Sequence, residues 1–313
     1  MPVFLSELLA LSAALCIALS GMLIGELKGR VDVIRLARWQ MLAAFAMTAG
    51  AALVVGGWRA LQVWQIGLLA LSGVAGIIIA STTYFAAIYL AGPRVTALLF
   101  SLTAPIALLL GYVVLDETIS PRQGIGIVCV LAGIVLAIGM PRRFGGAGTG
   151  KPAVSVEVAV PNEAPVAPSR TFVLGVVLGV VTAIGQAVGT LLARPAMAAG
   201  AEPFAAMAVR SGVAALFFVA LLAVPVAVLH RPYRFRLADL GLGVSAAFFG
   251  TGLGMSLLMA ALATGNVGIV STLSSMTPVV ILPMVWLRSG TPPSFNAWCG
   301  AGLAVIGTAL ISL

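Results

Sequence analysis

Residues 84–140 read YFAAIYLAGPRVTALLFSLTAPIALLLGYVVLDETISPRQGIGIVCVLAGIVLAIGM. Two apolar runs, 95–115 and 122–140, flank a short polar turn that contains Asp116 and Glu117. Each run has the length of about 20 residues that a helix needs to cross the hydrocarbon core of a bilayer. The stretch therefore predicts two membrane-spanning helices joined by a tight turn.

The composition of the whole chain agrees with a membrane protein. Of its 313 residues, 61% are hydrophobic and only 8% are charged, whereas soluble domains carry about 25% charged residues. This excludes an ordinary soluble enzyme, a disordered protein and a nucleic-acid binder. The net charge of +8 comes from short basic clusters between apolar runs, which is typical of topology signals at a lipid bilayer.

The cysteines predict neither a metal site nor a disulfide framework. Cys16, Cys129 and Cys299 lie in separate apolar runs, where a cysteine usually acts as a small buried hydrophobic residue. We therefore expect no cofactor and no bound metal.

Ten apolar runs are long enough to cross a membrane. They lie near residues 4–25, 39–57, 65–90, 95–115, 122–140, 172–193, 208–229, 239–263, 267–287 and 294–313. Residues 141–171 lack a periodic apolar face and are rich in Pro, Gly, Val and Ala, which predicts a flexible linker. The linker separates a first half, residues 1–140, from a second half, residues 172–313.

The two halves share an ordered pattern of special residues at a spacing of 172 to 174. The pairs are Arg38 and Arg210, Gly92 and Gly265, Pro105 and Pro278, Gly126 and Gly300, and Gly133 and Gly307. This indicates an internal duplication with five spans in each half. Because five is odd, the second half enters the membrane from the opposite side. The predicted fold is an all-α integral membrane protein with ten transmembrane helices, arranged as two inverted five-helix repeats.

Residues 84–139 resemble the EamA-like repeat of the drug/metabolite transporter superfamily. The resemblance rests on Tyr84, Tyr89, Ala91, Gly92, Pro105, Glu117, Gly126 and Gly133, and residues 262–311 repeat it with Gly265, Pro278, Gly300 and Gly307. The resemblance implies a membrane transporter and names no substrate. The second half departs from the pattern, since Gly290 or Thr291 stands where the counterpart of Glu117 is expected.

Prolines at matching positions of two repeats point to the central site of a transporter, because each interrupts a helix. Polar side chains lie near them and in spans three and six. The candidate cavity residues are Thr82, Thr83, Tyr84, Ser101, Thr103, Pro105, Gln186, Ser271, Ser275, Thr277 and Pro278. Hydrogen bonding between helices is the alternative role for these side chains.

Three charged residues are candidates for a gate or a membrane-interface role. Glu117 follows span four, and its alternative role is a cap at a helix end that faces water. Arg38 and Arg210 begin uncharged runs, so they either extend to the lipid headgroups or attract an anionic or zwitterionic solute at each mouth. No Asp, Glu, Lys or His lies in the middle of a span, which argues against proton antiport through a buried carboxylate.

Together these features predict a transporter that moves a small metabolite, an amino-acid-like solute or a drug through a cavity between the repeats. The alternatives are a membrane scaffold or sensor without transport, and an intramembrane enzyme. An enzyme is disfavoured because the single histidine, His230, lies in a basic loop with no catalytic constellation. We expect a multi-pass protein of the bacterial cytoplasmic (inner) membrane.

Glycines spaced as GxxxG predict close helix packing inside the bundle, and the same spacing also fits a homodimer interface. They are Gly175 and Gly179, Gly185 and Gly189, and Gly250 and Gly254. For the membrane orientation the charges and the resemblance disagree, and our prediction follows the charges. Lys and Arg are concentrated in the odd-numbered loops, which places the linker in the cytoplasm and both termini outside. Members of the family that the chain resembles are generally drawn with both termini in the cytoplasm.

Overall fold

The computed structural model describes residues 2–27, 30–91, 96, 99–138, 170–223, 236–289 and 295–312. These residues are almost entirely helical, and none of them forms a strand. The predicted linker lies outside this part of the chain except for Arg170 and Thr171, with which a helix begins. Gly92, His230, Gly290 and Thr291 also lie outside it.

Thirteen α-helices lie in the described part of the chain. They are α1 (Pro2–Glu26), α2 (Val33–Val55), α3 (Val63–Gly73), α4 (Ala80–Ala91), α5 (Thr103–Leu115), α6 (Pro121–Ile138), α7 (Arg170–Ala198), α8 (Pro203–Ala220), α9 (Leu237–Ala247), α10 (Met255–Thr264), α11 (Val267–Ser274), α12 (Thr277–Ser289) and α13 (Phe295–Ser312). Short 3₁₀ turns cover Gly57–Ala60 and Leu221–Ala223. The π-helical segment Val74–Ile79 joins α3 to α4, and Phe248–Gly254 joins α9 to α10.

Six helical stretches are long and apolar enough to cross a membrane, which confirms the predicted class of multi-pass membrane protein. They are Phe4–Ile24, Ile34–Val55, Val63–Tyr84, Arg170–Ala198, Pro203–Ala223 and Leu237–Thr264. Three shorter apolar helices, Thr103–Leu115, Pro121–Leu136 and Phe295–Ile311, fall in the predicted fourth, fifth and tenth spans.

Two predicted spans begin too late in the sequence. The span predicted at 39–57 is helical from Val33, and the span predicted at 208–229 is helical from Pro203. In both cases an acid caps the helix: Asp32 Oδ2 accepts the Ile34 N–H, and Glu202 accepts two N–H groups, at 2.9 and 2.7 Å. Because such caps satisfy free N–H groups of the first turn, each helix begins before its arginine. Arg38 and Arg210 therefore lie inside helices and not at their first residues.

The helices pack in pairs that span the two halves of the chain. α2 packs against α8, and α6 packs against α13. α4 packs against α7, whereas α10 packs against α1. Of the shorter helices, α5 contacts α11 and α7. Every one of these contacts joins residues before the linker to residues after it, so the two halves interlock.

Glycines bring α6 and α13 into backbone contact. A Cβ at Gly133 would lie 2.5 Å from the carbonyl oxygen of Gly300, and a Cβ at Gly126 would lie 2.7 Å from that of Gly307. The residue numbers rise along α6 as they fall along α13, so the two helices are antiparallel. Lipid gives helices no hydrophobic drive to associate, so van der Waals packing at small residues must hold this pair together.

The six glycines with GxxxG spacing also contact other helices of the same chain. Gly175 and Gly179 face Ala91 and Leu99, and Gly189 faces Gly76. Gly254 contacts Cys16 on α1. These contacts agree with the interpretation of the spacing as packing inside the bundle.

A methyl group at the α6–α13 crossing should destabilise the protein. For Gly133→Ala we expect a loss of about 1–3 kcal/mol in the free energy of unfolding, because the added carbon overpacks a backbone contact. Gly302→Ala is the matched control, since a Cβ at Gly302 on the partner helix meets nothing within 4 Å. Thermal unfolding of the purified variants in one detergent measures both. Equal stability of the two variants would contradict a glycine-dependent contact.

Candidate solute site

Helix breaks occupy matching positions in the two halves. Ser101 and Leu102 form a turn before α5, and Ser275 and Met276 form a turn before α12. Pro105 is the third residue of α5, in the first turn, where its missing N–H costs no helical hydrogen bond. Pro278 is the second residue of α12, and its side chain is outside the described set. The prolines therefore begin helices after a break and do not kink continuous ones.

Several of the predicted cavity hydroxyls bond to carbonyls three or four residues earlier in the chain. Thr82 donates to the Ile78 carbonyl at 2.7 Å, and Ser275 donates to the Ser271 carbonyl at 2.7 Å. Thr277 donates to the Ser274 carbonyl at 3.0 Å. Such bonds satisfy a hydroxyl without a second helix. They leave these three side chains with less capacity to bind a solute than their position in the sequence suggests.

Two candidate hydroxyls have no partner within the helix bundle. Thr103 is 4% exposed and Ser271 is 2% exposed, and neither hydroxyl oxygen has a hydrogen-bond partner. Thr103 lies on α5 and Ser271 on α11, two helices in contact. A buried polar group without a partner costs free energy, so these hydroxyls are better candidates than their neighbours.

The other candidates lie on spans three, four and six. Thr83 and Thr182 share a hydrogen bond of 2.8 Å between α4 and α7. Tyr84 packs edge-on against Phe100, with ring centroids 5.8 Å apart. Ser101 is buried at the break before α5. Gln186 lies on α7 close to Gly76, described below.

Arg210 is the most deeply buried charged residue of the described chain, with 0% exposure. Its Nη1 donates to the Met259 sulfur at 3.1 Å, while Nε and Nη2 have no hydrogen-bond partner. It is the eighth residue of α8, which places it about 10 Å along the helix from its start. Arg210 is therefore enclosed by the described bundle and is not exposed at an end of its helix. An unpaired buried charge lowers the stability of the fold by an amount on the order of several kcal/mol. A functional role for Arg210 would explain why the protein keeps it.

Arg38, the repeat counterpart of Arg210, has a different environment. It is partly exposed, and its Nε has no hydrogen-bond partner. Arg38 is the sixth residue of α2 and lies closer to the capped end of its helix than Arg210 does. The two arginines thus correspond in sequence but not in burial.

Glu117 and Arg194 together join four helices at one end of the bundle. Its Oε2 accepts the Val267 N–H at 2.7 Å and thereby caps α11, and its Oε1 lies 3.4 Å from Nε of Arg194 on α7. Arg194 Nη1 also donates to the Ala263 carbonyl on α10 at 3.3 Å. Glu117 follows α5 directly, so one carboxylate connects α5, α7 and α11. We call these residues the Glu117 cluster. Glu117 caps a neighbouring helix inside the protein, and is not a simple cap facing water.

The sequence pattern did not single out Glu7 or Arg194. Glu7 is 2% exposed on α1, and neither of its carboxyl oxygens has a hydrogen-bond partner. Such a carboxyl needs a proton or a cation in an apolar setting. The feature of the sequence that could have identified Glu7 is its position as the fourth residue of the first apolar run, 4–25. Glu7 is a buried carboxyl inside an apolar run, so the sequence-based argument against proton coupling through a buried carboxylate does not apply to it.

Clusters of His, Cys, Asp and Glu that could hold a metal ion are absent from the described residues. The ion pair of Asp239 with Arg30, 3.7 Å apart, lies between α9 and the segment after α1. This ion pair does not form a catalytic arrangement.

Apolar spanning helices, interrupted helices at matching positions and buried polar groups between them define a multi-pass membrane protein with a transporter-like interior. A model of the EamA-like transporter family matches residues 4–139 and 173–313, nearly the whole chain. The chain therefore belongs to the EamA-like transporter family, as the resemblance of residues 84–139 implied.

Solved structures agree on the fold. One of those that match, titled "Crystal structure of protein", covers 97% of this chain and 95% of its own with a TM-score of 0.76 and 19% identity. At that identity the likeness shows the fold alone. No curated protein sequence matches the chain.

Removal of the Glu117 carboxylate should loosen its end of the bundle. For Glu117→Ala we expect a loss of about 1–2 kcal/mol in the free energy of unfolding, because α11 loses its cap. Asp116→Asn is the matched control. It removes the adjacent charge, and asparagine tolerates the left-handed backbone that Asp116 adopts, with a φ of 53°. Chemical denaturation in detergent compares the two variants, and an unchanged Glu117→Ala protein would refute the capping role.

Proposed function

We propose that this protein is a secondary transporter with ten membrane-spanning helices, in which two inverted halves give a small organic solute access to each side of the membrane in turn. The solute is a metabolite, an amino-acid-like compound or a drug, and the membrane is the bacterial cytoplasmic (inner) membrane. The observation that carries the proposal is the self-complementary contact between α6 and α13.

That contact has the form that a two-fold axis requires. The sequence repeat pairs Gly126 with Gly300 and Gly133 with Gly307. The contacts pair them crosswise, Gly126 with Gly307 and Gly133 with Gly300. When residue i touches the counterpart of j, and j touches the counterpart of i, the surfaces are related by a two-fold rotation. Because α6 and α13 are antiparallel, such an axis lies in the membrane plane, which supports inversion of the halves.

Other helix pairs follow the same rule. α4 packs on α7 as α10 packs on α1, and α3 packs on α8 as α9 packs on α2. The π segments Val74–Ile79 and Phe248–Gly254 begin 174 residues apart, as do the turns at Ser101 and Ser275. Chance is a poor explanation for irregular helical geometry that recurs at the repeat spacing. Interrupted helices at matching positions are also typical of transporter binding sites.

The proposed mechanism is alternating access around a site between the halves. In this conformation the Glu117 cluster ties α5, α7, α10 and α11 together at one end of the bundle. Opening of that end requires these contacts to separate, while the irregular π and turn segments accommodate the change in helix direction. The family assignment favours this function over catalysis and over a scaffold without transport. Solute flux in purified vesicles distinguishes the three, since only a transporter produces it.

Cross-linking of the Glu117 end should stop transport. Asn266 Nδ2 donates to the Thr118 carbonyl at 3.2 Å, so cysteines at these two positions are close enough for a short bifunctional methanethiosulfonate. In a background without Cys16, Cys129 and Cys299, we expect the cross-linked double variant to lose at least tenfold in solute flux. Reduction of the link should restore the flux, and each single-cysteine variant serves as a control. Full flux through the cross-linked protein would contradict alternating access at this end.

A further inference from the structure

We propose that Arg210 binds the carboxylate group of the transported solute. This rests on the proposed transport function and adds to it the chemical class of the substrate. The starting point is a guanidinium that is completely buried within a membrane-spanning helix and has only a thioether sulfur as a hydrogen-bond acceptor. A thioether is a weak acceptor and carries no charge to balance the cation.

The surrounding helices supply no anion. α8 packs against α2, α3, α10 and both π segments, and none of these elements contains an Asp or Glu. α7, which approaches Arg210 at Gly189, contains none either. Glu7, the other buried charged group without a hydrogen-bond partner, lies on α1, outside this set of helices. Within the described chain, no carboxylate forms an ion pair with Arg210. The described part of the chain thus supplies no counter-charge for Arg210, and we assign that charge to the transported solute.

The free atoms of the guanidinium match a carboxylate. Nη1 is taken by Met259, which leaves Nε and Nη2 unpaired. These two nitrogens lie on one edge of the planar group and donate two parallel hydrogen bonds to the two oxygens of a carboxylate. One guanidinium carries one positive charge, so a monoanionic carboxylate leaves the site neutral. A phosphate that carries two charges would remain partly unbalanced in an apolar interior.

Small residues surround the free edge. A Cβ at Gly76 would lie 3.0 Å from Arg210 Nη2, 3.2 Å from the Gly189 Cα and 3.5 Å from Gln186 Oε1. The polar amide of Gln186, a candidate from the sequence, thus faces the same place as the guanidinium. Gly76 belongs to the π segment Val74–Ile79, and π-helical turns occur frequently at functional sites. Since Arg210 is closed off in this conformation, solute entry requires the third and sixth spans to separate at these glycines.

The experiment compares carboxylates with their amides in vesicles that contain the full-length protein. The solutes are the standard amino acids, lactate and benzoate, each paired with its primary amide, and mass spectrometry follows their release. We expect the wild type to release at least one carboxylate at least tenfold faster than its amide. In Arg210→Met this preference should disappear. The same variant should unfold about 2 °C or more higher than the wild type without solute, because the unpaired charge is gone.

Two further variants keep the test decisive. Arg210→Lys retains the charge but loses the two-nitrogen edge, so we expect at least tenfold slower carboxylate release even if Arg210→Met does not fold. Arg122→Met removes an exposed arginine on α6, a helix outside the set that packs against α8, and is the control, with the carboxylate preference intact.

The outcomes separate this inference from the proposed function. Any of three results overturns the Arg210 site: equal release of acid and amide by the wild type, a carboxylate preference that persists in Arg210→Met, or carboxylate release at the full rate in Arg210→Lys. Each of these results leaves the protein a transporter. Inhibition by inorganic phosphate and not by an excess of carboxylate overturns the carboxylate assignment in favour of a phosphate site. Vesicles that release none of the solutes, in either form, contradict the proposed function as well.

Discussion

Direct backbone contact at glycine is the interaction on which this bundle depends. In lipid, helices gain nothing from the hydrophobic effect when they associate, so they must gain from close packing. The crossing of α6 and α13 brings Gly126 and Gly133 against the backbone of the partner helix, and Gly76 meets Gly189 in the same way. The first contact joins the two halves of the chain. The second closes the helices around Arg210. Close glycine–backbone contact thus serves both the assembly of the bundle and the candidate site.

Much of the helix packing and both helix breaks could be predicted from the sequence, because glycine allows close backbone contact and proline interrupts a helix. Gly126, Gly133, Gly300 and Gly307, which the sequence pairs as repeat partners, all lie at the crossing of α6 and α13, and Pro105 and Pro278 follow the two helix breaks. The depth of Arg210 was not predictable from hydrophobicity, since a charge ordinarily ends an apolar run. Because Glu202 caps α8, the helix begins at Pro203, five residues before the predicted span of 208–229. Whether Ser275 or Ser271 has a free hydroxyl depends on side-chain rotation within the helix, which composition does not encode.

The charged residues divide into two groups with different physical roles. Glu117 and Arg194 lie at one end of the bundle, where backbone groups and an ion pair compensate their charges. Arg210 and Glu7 are buried without such compensation. A membrane protein keeps an uncompensated charge at a cost to its stability, and in transporters such groups mark solute and ion paths. Glu117 and Arg194 therefore fit a contact that holds one end of the bundle closed. Arg210 and Glu7 fit the binding of solutes or ions that enter and leave.

Inversion of the two halves is the central claim, and the sidedness of two matched loop positions tests it most directly. Ser120 and Ser294 are 174 residues apart; Ser120 lies between the fourth and fifth predicted spans, and Ser294 is the first residue of the tenth. A single cysteine at either position, in a background without the three native cysteines, can be labelled with a membrane-impermeant thiol reagent in vesicles of uniform orientation. Inverted halves predict that the two positions react from opposite sides of the membrane. Labelling of both positions from the same side would contradict the inverted architecture.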